Sequence, residues 1–174
     1  MFTRKTISWF VLCAAASAAP TLYSQQLGQP INESQLENFD LVAGPDGLGF
    51  PLGSGSATQG KAVFEAKCAA CHAVTGEGLS GSTRLVGGSM QSEANPLRTV
   101  GSFWPHASTL FDFIRRAMPA NAPKSLSNTE VYQATAYVLF LNGIITEDTV
   151  VDKHSLLEIV MPNADGFIDQ SHLQ

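Results

Sequence analysis

The stretch "GKAVFEAKCAACH", residues 60–72, decides the fold. Gly60, Val63, Phe64 and Lys67 fall at i, i+3, i+4 and i+7, the spacing of one helix face, and the pattern runs straight into Cys68. Residues 68–72, Cys-Ala-Ala-Cys-His, hold two of the three cysteines in the 174-residue chain and follow the second with a histidine. A thioredoxin-type redox couple belongs in a βαβ setting, which a helical run does not offer. A structural zinc site needs four ligands; with no second cysteine pair, His106, His154 and His172 would have to supply the rest from scattered loops. A disulfide across so short a loop restrains the unfolded chain only locally and leaves the histidine unexplained. Covalent haem uses all three residues: two thiols add to the vinyl groups on one porphyrin edge, and the next residue is carried under the iron. Cys68 and Cys71 are therefore expected as the thioethers of one haem c, with His72 as the proximal iron ligand.

The N-terminal end points to the compartment in which haem is attached in this way. Arg4 and Lys5 precede the apolar run Ile7–Ala16, which closes on the small residues Ser17, Ala18 and Ala19, the order of a secretory signal. Residues 1–24 are read as that signal, with a retained membrane anchor as the alternative, although the run is short for a bilayer span. Cys13 leaves with the signal, and Leu12 before it does not suit lipoprotein processing. Export into the periplasm of a Gram-negative bacterium is the expectation. Without Arg4 and Lys5, eight basic residues face fifteen acidic ones, a net charge of −7. That balance disfavours nucleic acid and anionic membranes as partners.

Past the signal the sequence reads as one domain with extensions: an N-terminal extension and Gly-rich linker over 25–56, a haem-bearing domain over 57–145 and a C-terminal extension over 146–174. In the first, "NESQLENFDL" predicts one amphipathic helix that packs Leu36, Phe39 and Leu41 on something larger. Within the domain a first helix starts at Ser56 or Thr58. A second has Ser108 or Thr109 as N-cap, Leu110, Phe111, Ile114 and Ala117 inward, and Arg115 and Arg116 at the end the helix dipole favours for cations. The third is the clearest: Leu126 precedes N-cap Ser127, Glu130 completes a capping box, and Gly143 ends a stripe of Ala134, Tyr137, Val138 and Leu141. No segment reads as a strand. The C-terminal extension wraps the domain through Leu156, Leu157, Ile159 and Val160, or serves as a partner-binding arm. The fold class expected is all-α, with long loops around a core that a large apolar cofactor would complete.

The second axial ligand decides what such a haem does. Met118, in "RRAMPANAP", lies between the second and third helices on a loop stiffened by Pro119 and Pro123, and is the expected ligand. Met161 has the same Met-Pro pair but follows the last helix by a long excursion, and Met90 sits in "GGSMQSE". Trp104 and Arg115 are candidate propionate contacts, weighed against plain packing and a solvated helix end. His106 reads as a loop or helix-start residue. A backbone carbonyl near Leu85 or Val86 is the expected acceptor for the second N–H of His72.

The order of the Gly60–Phe64 helix, Cys68-Ala69-Ala70-Cys71-His72, Met118-Pro119 and a last helix carrying Tyr137 resembles a class I cytochrome c over residues 57–143. The resemblance implies that the first and last helices cross near-perpendicularly with a glycine and aromatics at the contact. Longer strings, "PDGLGFPLGSGSATQGKAVFEAKCAACH", "VGSFWPHASTLFDFIRRAMPANAPKSLSNTEVYQATAYVLFLNGI" and "MPNADGF", are similar to the haem-bearing segment of SoxD-type sulfur dehydrogenases and related sulfite dehydrogenase cytochrome subunits. This implies an electron-transfer subunit, not itself catalytic, paired with a molybdopterin enzyme that oxidises sulfite or sulfane sulfur, and discharging to a downstream c-type cytochrome or oxidase. The chain departs from that family in two ways: it has one CxxCH where SoxD-type members commonly have two, and no proline follows the motif. A free electron shuttle is the alternative. A catalytic haem fits worst, because His/Met ligation leaves iron no open position.

Overall fold

The computed structural model of the chain describes residues 28, 30–36, 39, 42–79, 84–91 and 96–168. The expected signal, Leu41 and His172 lie outside them. The chain divides into two compact units, residues 1–35 and 36–174. Where they meet in sequence stands helix α1 (Glu33–Leu36), a single turn whose start is bound by Asn32 Oδ1 accepting the Gln35 N–H at 3.0 Å. Of the amphipathic helix predicted over 32–41, the described residues show this one turn, with Leu36 and Phe39 exposed where packing was expected.

The second unit carries helices α2 (Ala57–Lys67), α3 (Ala69–His72), α4 (Val100–Phe103), α5 (Ala107–Ala117), α6 (Asn128–Leu141) and α7 (Ser155–Glu158). Helix α6 is its axis. Ser127 Oγ accepts the Glu130 N–H, and Glu130 reaches back to the Ser127 N–H at 2.8 Å, so the predicted capping box is present. The helix ends at Asn142, with Gly143 at φ +68, a left-handed conformation that glycine adopts without strain. The expected stripe is wider than one face: Val131, Tyr132, Ala134, Thr135, Ala136, Tyr137, Val138 and Leu139 are all buried, and Leu141 is half-buried. Such a helix needs neighbours on every side.

Helix α2, capped by Ser56, supplies one of them. Gly60 lies against the Gln133 backbone, where an added Cβ would come within 1.9 Å of the carbonyl oxygen, and the Phe64 and Tyr137 rings pack at 5.2 Å between centroids. The glycine and aromatics implied at the helix contact are thus in place, while Lys67, at the end of the same pattern, points out to pair with Glu130 at 2.7 Å. Helix α5 covers another side through Leu110, Phe111 and Ile114, with Phe111 and Tyr132 at 4.5 Å between centroids. Its N-cap is His106, not Ser108 or Thr109. The cause is distant in sequence: His106 pairs with Val160 in an isolated antiparallel bridge, which holds it extended and starts the helix early. Ser108 is consequently buried inside α5, with an Oγ that has no hydrogen-bond partner.

Both extensions join this unit. The linker strand β1 (Ser54–Gly55) pairs antiparallel with β2 (Val151–Asp152) of the tail, a two-residue ladder too short for the sequence to signal. The tail wraps the domain as expected through Leu156, which is buried, and Ile159, which is half-buried against the core, and also through buried Val151 and Met161; Leu157 and Val160 are exposed. Helix α7 is one turn, so Leu156 and Leu157 cannot share a face. Among the described residues no helix is long and apolar enough to cross a membrane.

Candidate haem site

Helix α2 breaks at Cys68, whose φ of −121° and ψ of −37° redirect the chain into the separate turn α3. The Cys68 carbonyl accepts both the Cys71 and the His72 N–H at 3.0 Å, so the two thiols and the imidazole occupy one helical turn. Ala73, at φ +59, ends it. The following loop folds back onto the motif: the Gly78 N–H bonds the His72 carbonyl at 2.8 Å, and the Leu85 N–H bonds Gly76 at 2.8 Å. Leu85 and Val86 therefore lie next to the turn that carries His72. The Leu85 carbonyl already accepts Asn142 Nδ2 at 3.2 Å, leaving one lone pair for a second donor.

Both cysteines are free, Cys68 half-buried and Cys71 exposed. Burial pushes the Cys68 thiol up to about 11, against a smaller lowering by Lys67 and a small raising by Cys71. The buried Cys68 thiol is thus less acidic than a free cysteine, the reverse of the shift that activates a redox nucleophile. Among the described residues no three His, Cys, Asp or Glu side chains gather as they would around a metal ion. Two unpaired thiols on one turn, together with an adjacent imidazole, match the donor set of a thioether-linked haem.

Met118, the expected second ligand, is the C-cap of α5, donating its N–H to Ile114 at 3.1 Å, and its half-buried side chain packs against the core. Cys68, Leu85, Trp104 and Met118 all lie partly open at the edge of the core, as the lining of a large flat ligand would. Phe113 joins Trp104 there and is not singled out by sequence: it is 42% exposed and stands edge-on to Trp104, ring centroids 5.7 Å apart. A phenyl ring on the solvent side of a helix is the one signal that could have drawn attention to it. Met161, in contrast, is 2% exposed and belongs to the core.

Arg115 donates to the Gly49 carbonyl at 2.9 Å, tying the linker to α5. Burial lowers its pKa, partly offset by Tyr132 and Asp112. Tyr132, itself pushed up to about 12 chiefly by burial, donates its hydroxyl to the Pro51 carbonyl at 2.9 Å. Asp112 accepts the Ala43 N–H at 3.0 Å and Arg116 Nε at 2.8 Å. Arg115 therefore has a partner in the linker, and Trp104 one in Phe113.

The family described as cytochrome C oxidase, cbb3-type, subunit III, matches residues 55–138. The crystal structure of the sulfane dehydrogenase SoxCD from Paracoccus pantotrophus contains a chain 34% identical to this one, with a TM-score of 0.79; the match covers 86% of this chain and 74% of that one. The chain belongs to the class I cytochrome c family. No curated protein matches it. The cytochrome's all-α architecture and its likeness to the SoxD cytochrome agree with the resemblance carried by the Cys68–His72 and Met118-Pro119 motifs.

Proposed function

We propose that the cytochrome is a periplasmic, mono-haem c-type protein carrying single electrons as the haem subunit of a molybdopterin-dependent sulfite or sulfane-sulfur dehydrogenase. Residues 1–24 direct its export. Cys68 and Cys71 would hold the haem through their sulfurs and His72 and Met118 would hold its iron, with Trp104 and Arg115 toward the propionates. When bound, the haem supplies a one-electron Fe(III)/Fe(II) couple. The chain's own part would be to close the iron to other ligands, to shield the haem with Phe113 and Trp104, and to leave the exposed Cys71 edge for redox partners.

One observation favours a subunit over a free shuttle. The oxidase-family match is confined to 55–138, but a match over 86% of the chain must take in residues of the extensions as well. What is shared with a sulfane dehydrogenase chain is thus more than a haem carrier needs. The test is affinity capture of the tagged cytochrome from the native periplasm, with molybdopterin assayed in the eluate and haem reduction followed on adding sulfite or thiosulfate. Co-eluting molybdopterin with substrate-dependent reduction supports the reading; a haem-loaded protein recovered alone and inert to both makes it a shuttle that hands electrons to a downstream cytochrome or oxidase.

A further inference from the structure

The tail does more than cover the core. Val160 pairs with His106 in an antiparallel bridge, and Asn163 Nδ2 donates to the Phe103 carbonyl at 2.7 Å. The two contacts obey one register, in which Met161 stands opposite Pro105 and Pro162 opposite Trp104. Two prolines in that short overlap remove the backbone donors that an ordinary ladder would use, so the Asn163 amide takes over the role of a backbone N–H. Phe103 is gripped further through its ring, edge-on to Phe167 at 5.1 Å between centroids and under the Arg98 guanidinium at 5.1 Å. Residues 103 and 106 are therefore fixed on either side of Trp104. Its indole packs edge-on against Phe113 of α5.

We propose that the tail segment 160–167 is a positioning strap for Trp104, and that Asn163, through its bond to the Phe103 carbonyl, is the positioning residue that sets the indole toward the haem. The inference rests on the haem reading above and adds to it. Trp104 stands next to a carbonyl that the tail holds, so strap geometry passes directly to the ring. The strap itself is preset: the Ala164 N–H bonds Met161 at 3.0 Å, the Gly166 N–H bonds Asn163 at 3.1 Å, and Gly166 lies so close under the Asn163 amide that an added Cβ would come within 1.9 Å of its Oδ1. Adding that methyl dislodges the amide and leaves Asn163 itself in the chain.

The test compares wild type, Asn163→Asp, Gly166→Ala and Val160→Ser in the exported full-length protein. The ionised carboxylate that Asn163→Asp introduces cannot donate to the Phe103 carbonyl, and Val160→Ser changes an exposed side chain while keeping the backbone bridge. Two readouts are taken: the indole N–H resonance of Trp104 in the reduced, diamagnetic protein, with its hydrogen-exchange rate, and the reduction potential by spectroscopic titration. The expected result is that Asn163→Asp and Gly166→Ala both shift the indole resonance and speed its exchange about tenfold, the scale of one net hydrogen bond. Both should also lower the potential, because an indole dipole turned away no longer offsets propionate charge; Val160→Ser should do neither. An unmoved resonance and potential in both variants, with only thermal stability reduced, would overturn the proposal and leave the tail a structural cover. Should Asn163→Asp fail to accumulate, Gly166→Ala decides alone. A wild-type protein without a pyridine haemochrome spectrum would overturn the haem reading and, with it, an indole aimed at a haem, whereas haem-loaded variants with an unmoved indole resonance would overturn the strap alone.

Discussion

Replacing Gly60 by alanine is expected to destabilise the cytochrome by about 3 kcal/mol, against the intrinsic preference of a helix interior, where alanine is favoured over glycine by about 1 kcal/mol. The reason is the contact between α2 and α6. A Cβ on Gly60 would stand 1.9 Å from the Gln133 carbonyl oxygen, 2.6 Å from its carbon and 2.9 Å from the Tyr137 Cβ. The nearest atoms are backbone, and neither can rotate away. The helices must part by roughly 1 Å, a gap that forfeits a quarter to a half of the dispersion energy between facing atoms. The loss falls on Phe64 and Ala57, which are almost fully buried, and on a Phe64–Tyr137 ring pair worth about 1 kcal/mol beyond its burial. Together these reach the upper end of typical overpacking costs. Chemical denaturation followed by helical circular dichroism measures the loss, and a fall in Tm of about 10 °C should accompany it. Ala62→Gly on the exposed face of α2 is the control, costing about 1 kcal/mol by propensity alone. A Gly60→Ala protein as stable as wild type, or more so, would refute the close-approach argument.

Three further outcomes are expected. Met118→His should lower the reduction potential, since thioether ligation favours ferrous iron over bis-imidazole ligation; Met161→Leu, a near volume-conserving core change, should leave the potential unmoved and cost under about 1.5 kcal/mol, and loss of the red charge-transfer band of ferric His/Met haem in Met161→Leu would contradict the assignment. The Cys68→Ser, Cys71→Ser double variant should lose covalent haem and, with it, cooperative unfolding, because binding free energy is folding free energy for a site at the edge of the core; native helix content and a sharp transition in that variant would show the core to be self-sufficient. Glu130, held down at about 2 by its hydrogen bonds to Lys67 and to the Ser127 backbone, contributes stability that is fully present above its ordinary value of 4.5 and lost as pH falls toward 2. The stability difference between wild type and Glu130→Gln should accordingly be about 1 kcal/mol at pH 7 and vanish by pH 2, and a difference independent of pH would place it in helix packing instead.

What could be read from the sequence is what depends on neighbours along the chain. The Ser127–Glu130 box and the Gly143 stop are local chemistry, and α6 forms between them as expected. The Cys68–His72 motif is legible for a related reason, since attachment to one porphyrin edge demands residues that are adjacent. The start of α5 was not legible, because a bridge to a residue far down the chain holds His106 extended. The same holds for the tail, where Leu156 is buried and Leu157 is not: the composition is right, but the face is set by pairing between β1 and β2. Phe113 looks like a solvent-facing position on α5 until Trp104 is seen against it. Arg115 and Arg116 read as propionate or partner contacts or as a solvated helix end; their bonds to the Gly49 carbonyl and to Asp112 add linker and i−4 partners to that reading.

These long-range contacts converge on one helix. The linker is bound to α5 through Asp112 and Arg115, and to α6 through Tyr132. The tail braces the other end of α5 at His106 and packs Leu156 and Met161 into the same core. Helix α5 ends on Met118 and carries Phe113, so the two extensions brace the element that would present both the axial thioether and the aromatic floor of the haem. Met118 itself leaves its helix at once into a loop and has few hydrogen bonds of its own to hold it. A thioether is a weak ligand whose bond to iron tolerates little drift, and rigidity must then come from the helix behind it. On this view the linker over 42–56 and the tail from 146 would support the haem site as well as offer surfaces to a partner. Truncating either end should accordingly be read first in the spectrum of the ferric haem, and only afterwards in binding.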